Sequence, residues 1–105
     1  MPSDTKFVRI SRTIGKDQVV DELILSFTHD IEISAMIPGI SPTRTYVESP
    51  LIVVMKSKGN KIAHEHIYWD QASLLVQIGL LDNNNELPII GIEQSKKLQE
   101  LALST

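Results

Sequence analysis

The sequence predicts an α+β domain in which a curved antiparallel sheet of about four strands is followed by C-terminal helices. Apolar and polar residues alternate through long runs in the first two thirds of the chain, which is typical of half-buried strands. Short turns between these runs favour antiparallel pairing. Such long runs in a chain of 105 residues indicate a strongly curved sheet, because twist accumulates along each strand.

Four segments carry the strand pattern. The first, Thr5–Ile14, and the second, Gln18–His29, are separated by a short turn and therefore form a hairpin. The third strand, Val47–Lys56, is joined to the fourth, Lys61–Trp69, by the tight turn Ser57–Asn60.

Two helices are predicted after the strands. Asp70 can cap a helix over Gln71–Gly79, and the glycine at its end is a common helix terminator. A polar loop over residues 82–88 leads to a final amphipathic helix, Glu93–Leu103. The whole chain, residues 1–105, is predicted to be a single domain.

Composition excludes several classes of protein. The net charge is −3 and the basic residues are scattered, so we expect no nucleic-acid partner. No apolar run approaches the roughly 20 residues that span a bilayer, and the N-terminus lacks an apolar signal core. The chain has no cysteine, which excludes disulfides and zinc fingers. We therefore expect a cytoplasmic protein with no membrane partner. The chain also has no phosphate-binding glycine loop.

The fourth strand holds the best candidates for acid/base chemistry. Strand alternation places His64, His66, Tyr68 and Asp70 on one face, and it places Ala63, Glu65, Ile67 and Trp69 on the other. Desolvation could raise the pKa of Asp70 toward the range of a general base. The alternative is that Asp70 is only the N-cap of the next helix, in which case its pKa would fall.

Histidines offer a second interpretation of this region. His64 and His66 form a His-x-His pair, and His29 could join them from the second strand to hold a divalent metal ion. No second motif supports a metal site, so hydrogen-bonded or pocket-lining histidines are favoured and we predict no metal.

Acidic residues in the middle of the second strand call for a partner. Whichever of Asp21 and Glu22 faces inward must be paired, because an unpaired buried charge costs on the order of several kcal/mol. Arg9 and Arg12 on the neighbouring strand are the candidates. This pattern favours a structural ion pair, with a clamp for a substrate carboxylate as the alternative.

Three motifs stand in a characteristic order along the chain. The loop Pro42–Thr45 reads Pro-Thr-Arg-Thr and precedes the third strand. Lys61–His66 reads Lys-Ile-Ala-His-Glu-His and is followed by Asp70, and Leu74–Gly79 reads Leu-Leu-Val-Gln-Ile-Gly. In this order and spacing, residues 36–80 resemble the SnoaL-like polyketide cyclase group of the nuclear-transport-factor-2-like superfamily.

The resemblance implies a conical fold whose curved sheet wraps around helices and forms a mostly apolar pocket for a small apolar molecule. It also implies cofactor-free acid/base catalysis of the cyclase or isomerase type, with Asp70 as the base and His66 beside it. The predicted ligand-binding residues are Tyr68, His64, His29, Arg12 and Trp69. The same fold serves proteins without catalysis, so the alternative is a non-catalytic ligand-binding or dimerisation module.

The chain departs from this group in two places. Its Pro42–Thr45 loop lacks the glycine that members of the group often carry. In the group, two or three helices precede the first strand and close the cone, whereas this chain begins almost directly at that strand. We therefore expect a cone that is open or is covered by another chain. Because an exposed apolar face is a liability in a monomer, we expect a homodimer.

Overall fold

The computed structural model describes residues 1–82 and 88–103, so most of the loop predicted over residues 82–88 lies outside the described residues. The elements are β1 (Lys6–Ile14), β2 (Gln18–Thr28), β3 (Tyr46–Lys58), β4 (Lys61–Trp69), α1 (Gln71–Gln77) and α2 (Ile92–Leu103). The strands form a four-stranded antiparallel sheet in the order β1-β2-β3-β4. The predicted α+β class is confirmed.

Alternation along β2 and β3 gives the sheet two different faces. We call inner the face that carries Leu25 and Phe27 of β2 and Val47 and Leu51 of β3, all of which are buried. The outer face is the opposite one. At one end of the sheet the inner face is covered, and the residues that complete this core are Ile33 and Ile37 from the β2–β3 connection and Leu74 and Ile78 from α1.

Local contacts hold α1 over the inner face. Asp70 caps the helix, because its Oδ1 accepts a hydrogen bond from the Ser73 amide at 3.0 Å. The Gln71 side chain donates to the carbonyl of Met36 at 3.1 Å and so joins the helix to the β2–β3 connection. Gly79 has a positive φ of 81°, which only glycine adopts readily, and it ends the helix as the sequence predicts.

Beyond the end of β4, strand β3 has no neighbouring strand on that side. Side chains from the two helices bond to its backbone there instead. The amide of Gln77 donates to the Glu48 carbonyl at 2.9 Å and accepts from the Glu48 N–H at 3.1 Å. Ser95 of α2 donates to the same carbonyl at 3.0 Å. Pro50 lies two residues further along β3, where its missing N–H removes no ladder bond, because β4 ends opposite Leu51.

Helix α2 lies against the outer face. Gln99 donates to the Glu48 carboxylate at 3.3 Å, and with Ala102 it lines a small crevice beside Val8 and Ile10 of β1. This cover explains why Ile24, on the outer face of β2, is only 1% exposed. Neither helix in the described part of the chain has the length and apolar character needed to cross a membrane.

Candidate functional site

The inner face carries an open groove of about 540 Å³ beside the core, which we call the inner groove. Its lining is apolar apart from Asp21 and Glu65. The apolar lining residues are Met1, Phe7, Leu23, Leu25, Ala35, Met36, Leu51, Val53, Met55, Ile67 and Trp69. Phe7 is 57% exposed and Ile67 is 53% exposed, so the rim is apolar and faces solvent. An apolar concavity of this size with few polar groups is typical of small-molecule sites.

Strand β4 lies between this groove and the outer face. It contributes Glu65, Ile67 and Trp69 to the inner groove. His66 and Tyr68 alternate with them and are exposed on the outer face. The predicted division of β4 into two faces is therefore confirmed. The groove, however, lies on the face opposite to the one that carries most of the polar groups, because the concave side of the sheet is built from apolar residues.

The three histidines do not come together. The rings of His64 and His66 are neighbours on the outer face, with centroids 6.1 Å apart. His29 follows the last residue of β2 and is fully buried. Within residues 1–82 and 88–103, no group of three or more side chains is placed to hold a metal ion.

His29 belongs to the packing of the β2–β3 connection. Its Nδ1 accepts a hydrogen bond from the Thr43 amide at 3.2 Å and lies 2.9 Å from the Thr43 hydroxyl oxygen. Its backbone donates to the Thr45 carbonyl at 2.9 Å and accepts from the Arg44 amide at 2.8 Å. The inner groove is not lined by His29. These contacts give the residue a structural role, since they hold the loop that resembles the SnoaL-like motif.

The loop residue Arg44 occupies a backbone conformation that favours glycine. Its φ is +64°, and it is the only non-glycine residue with a positive φ in the described part of the chain. A glycine at this position would adopt the same conformation without strain. Here the strain is accepted within a loop tied to His29 by backbone hydrogen bonds.

Asp70 serves as the N-cap of α1, as the alternative prediction stated. It is half-buried, and neither Asp70 nor His66 lines the inner groove. The catalytic roles suggested for these two residues stay predictions.

The groove-lining residue Asp21 forms an ion pair with Arg12, which is not itself part of the lining. A bulge in β1, between Arg9 and Ser11, shifts the alternation and places Arg12 opposite Asp21. The guanidinium of Arg12 donates from Nε to Oδ1 at 2.7 Å and from Nη2 to Oδ2 at 2.8 Å. This bidentate bond lowers the pKa of Asp21 against the opposing effect of burial, and it raises the pKa of Arg12. The predicted structural pair is confirmed.

Of the predicted ligand-binding residues, Trp69 lines the groove and Arg12 reaches its wall through Asp21. His64 and Tyr68 lie on the outer face, and His29 is buried elsewhere. Part of the groove floor is formed by Leu23, Val53 and Met55, which are not among the residues predicted from the sequence. Their alternation with polar neighbours was a usable signal, because it identifies the inner face of β2 and β3.

Comparison with known proteins supports the fold. No family model matches the sequence, and no curated protein matches it. Three solved structures have the same fold as this chain, with TM-scores of 0.63 to 0.64. TsrD from Streptomyces laurentii is 19% identical, and the match covers 74% of this chain and 55% of TsrD.

The other two neighbours have comparable coverage. AclR from Streptomyces galilaeus, assigned as a hydroxylase, is 23% identical over 75% of this chain and 56% of its own. A protein from a Jannaschia species, assigned as a SnoaL-like polyketide cyclase, is 17% identical, and the match covers 74% of this chain and 51% of that protein. The chain thus has the SnoaL-like fold, as its motifs suggested, and spans little more than half the length of these neighbours. At these identities the similarity establishes the fold alone.

Proposed function

We propose that the protein binds a small apolar molecule in the inner groove without transforming it. The observation that carries this proposal is the groove itself, whose volume of about 540 Å³ lies within the ordinary range for ligand sites. In the described lining only Asp21 and Glu65 are polar, so burial of apolar surface would supply most of the binding energy.

The lining residues also suit a ligand of variable shape. All three methionines of the chain, Met1, Met36 and Met55, line the groove. Methionine side chains are flexible and polarisable, and they adapt to different apolar surfaces. The single tryptophan, Trp69, lies in the same lining and reports on binding by its fluorescence.

A titration with the neutral apolar dye N-phenyl-1-naphthylamine tests this proposal. We expect Trp69 emission to be quenched, with energy transfer to the dye, at micromolar concentrations. Ile67→Glu should weaken binding at least tenfold, because it places a charge in the apolar rim. Tyr68→Glu is the matched control, since Tyr68 is the next residue, is 61% exposed and faces outward. Equal loss in both variants, or no binding by the wild type, would refute the proposal.

Acid/base catalysis of the cyclase or isomerase type is less well supported. The neighbours' names include a cyclase and a hydroxylase, and Asp21 brings a buried carboxylate to the groove wall. A general base at neutral pH needs a raised pKa, however, and Arg12 lowers that of Asp21. Asp70, the base suggested by the sequence, caps α1. A binding module therefore fits the geometry better.

We also propose that a second copy of the chain rests on the rim of the groove. The supporting observation is the set of exposed apolar side chains there, with Met1 and Phe7 both 57% exposed. A contact at the rim would leave the floor free for a ligand. Analytical ultracentrifugation should show a dimer for the wild type and a monomer for Ile67→Glu. A monomeric wild type would remove this proposal and leave ligand binding intact.

A further inference from the structure

Electrostatics of the inner groove favour one sign of charge on its ligand. Among the residues described, no Lys, Arg or His lines the groove. Arg12, which pairs with the lining residue Asp21, has both Nε and Nη2 engaged by that carboxylate. The pair is neutral as a unit, and its guanidinium fork is not available to clamp an anion. An anionic ligand therefore meets no positively charged side chain among the described lining residues.

Glu65 is the one acidic lining side chain that the described residues leave unpaired. It is exposed, and its side chain makes no hydrogen bond or ion pair with any residue in ranges 1–82 and 88–103. Glu65 is on β4 and lies opposite Met55 of β3. It is four residues from Trp69, and this separation corresponds to roughly 13 Å along the strand. An elongated ligand could therefore contact Trp69 at one end and the Glu65 carboxylate at the other.

We infer that the ligand of the inner groove is an apolar molecule that carries a cationic amine, with the amine at Glu65 and the apolar body along the floor toward Trp69. This inference rests on the proposed function, because it adds a charge preference to the same site. Asp21 contributes little to the preference, since Arg12 already neutralises it. The amine would stay at the solvent edge, where Glu65 is exposed, and so would keep part of its hydration.

A matched series of eight-carbon ligands tests the inference by displacement of the neutral dye. We expect n-octylammonium to bind about threefold more tightly than n-octanol, the effect of one exposed ion pair. The n-octanoate anion should bind more weakly than the alcohol. Glu65→Gln should abolish the difference in affinity between the amine and the alcohol, because it removes the charge that distinguishes them. Glu22→Gln is the control, because it also removes one negative charge from a strand of the sheet. Glu22 lies on the outer face of β2, opposite Ile52, and so away from the groove.

A salt titration on the unmodified protein gives a second measurement. The excess affinity of the amine over the alcohol should shrink as sodium chloride is raised, because screening weakens an exposed ion pair. Equal affinity of amine and alcohol in the wild type, or tighter binding of octanoate, would overturn the charge preference while ligand binding stands. If neither the dye nor any of the three ligands binds, the proposed function and this inference both fail.

Discussion

The two ends of the inner face are built by the same strands but have different surroundings. At the covered end, Phe27 and Val47 are completely buried beneath α1 and the β2–β3 connection. At the open end, Phe7 on β1 and Ile67 on β4 remain more than half exposed around the inner groove. The strand pattern is apolar at both ends, so the pattern alone does not determine which end is filled.

This difference separates stability from binding. The covered end holds the buried apolar cluster that stabilises the fold. The open end keeps apolar surface accessible, together with an ion pair in its wall. Substitutions at the covered end should therefore change the free energy of unfolding, and substitutions at the open end should chiefly change ligand affinity.

The largest expected effect compares two phenylalanines. Phe27→Ala should lower the free energy of unfolding by about 3–5 kcal/mol, because it leaves a cavity in a packed core. Phe7→Ala should lower it by less than about 1 kcal/mol, since that side chain is already 57% exposed. Urea denaturation followed by circular dichroism measures both values. Similar losses in the two variants would show that the open end is packed as well.

The next effect concerns α1, one of the two covers of the buried end. Asp70→Ala should lower the free energy of unfolding by about 1 kcal/mol, because the Ser73 amide loses its acceptor. Asp70→Ser should restore most of this stability, since serine also caps helices. Dye binding in the inner groove should be unchanged in both variants. A selective loss of binding or of a detected activity would instead support the role of Asp70 that the sequence suggested.

A stabilising substitution tests the contribution of the β2–β3 connection, the second segment that packs over the buried end. Arg44→Gly should raise the free energy of unfolding by up to about 1 kcal/mol, because glycine adopts the observed φ of 64° without strain. Arg44→Ala is the control and should have little effect, since alanine keeps the unfavourable conformation. Destabilisation by the glycine variant would mean that the Arg44 side chain stabilises the loop.

The smallest effect belongs to the open end and appears only in acid. Asp21 has a lowered pKa in the folded protein, so the stability from its pairing with Arg12 is fully present above about pH 4 and is lost as the pH falls further. Asp21→Asn should make the melting temperature less dependent on pH in that window. Part of the dependence should remain, because the Thr28 amide also lowers the pKa of Asp4. If the melting temperature of Asp21→Asn falls at acidic pH as steeply as that of the wild type, the pair does not stabilise the protein in the way described.

Much of the fold could be predicted because its signals are local. Strand alternation, the turn over Ser57–Asn60 and the Asp70 cap each act within a few residues, and all three predictions agree with the structure. The Arg12–Asp21 pair was also predictable, since an acid in mid-strand requires a partner.

The position of the site could not be predicted in the same way. Alternation divides β4 into two faces correctly, but it does not say which face is concave. That choice depends on the side to which the β2–β3 connection and α1 fold, through non-local contacts such as the Gln71 side chain with the Met36 carbonyl. The abundance of polar groups around His66 and Tyr68 therefore pointed to the face that the structure exposes on its outer side.

Methyl-detected nuclear magnetic resonance during titration with the neutral dye tests most directly whether the inner groove is the binding site. Our account predicts that the largest shifts arise from methyl groups of Leu23, Val53, Met55 and Ile67. The methyl groups of Val20 and Val54, on the outer face of the same strands, should move little. Largest shifts at the methyl groups of Val20 and Val54 would contradict it and place the site on the outer face.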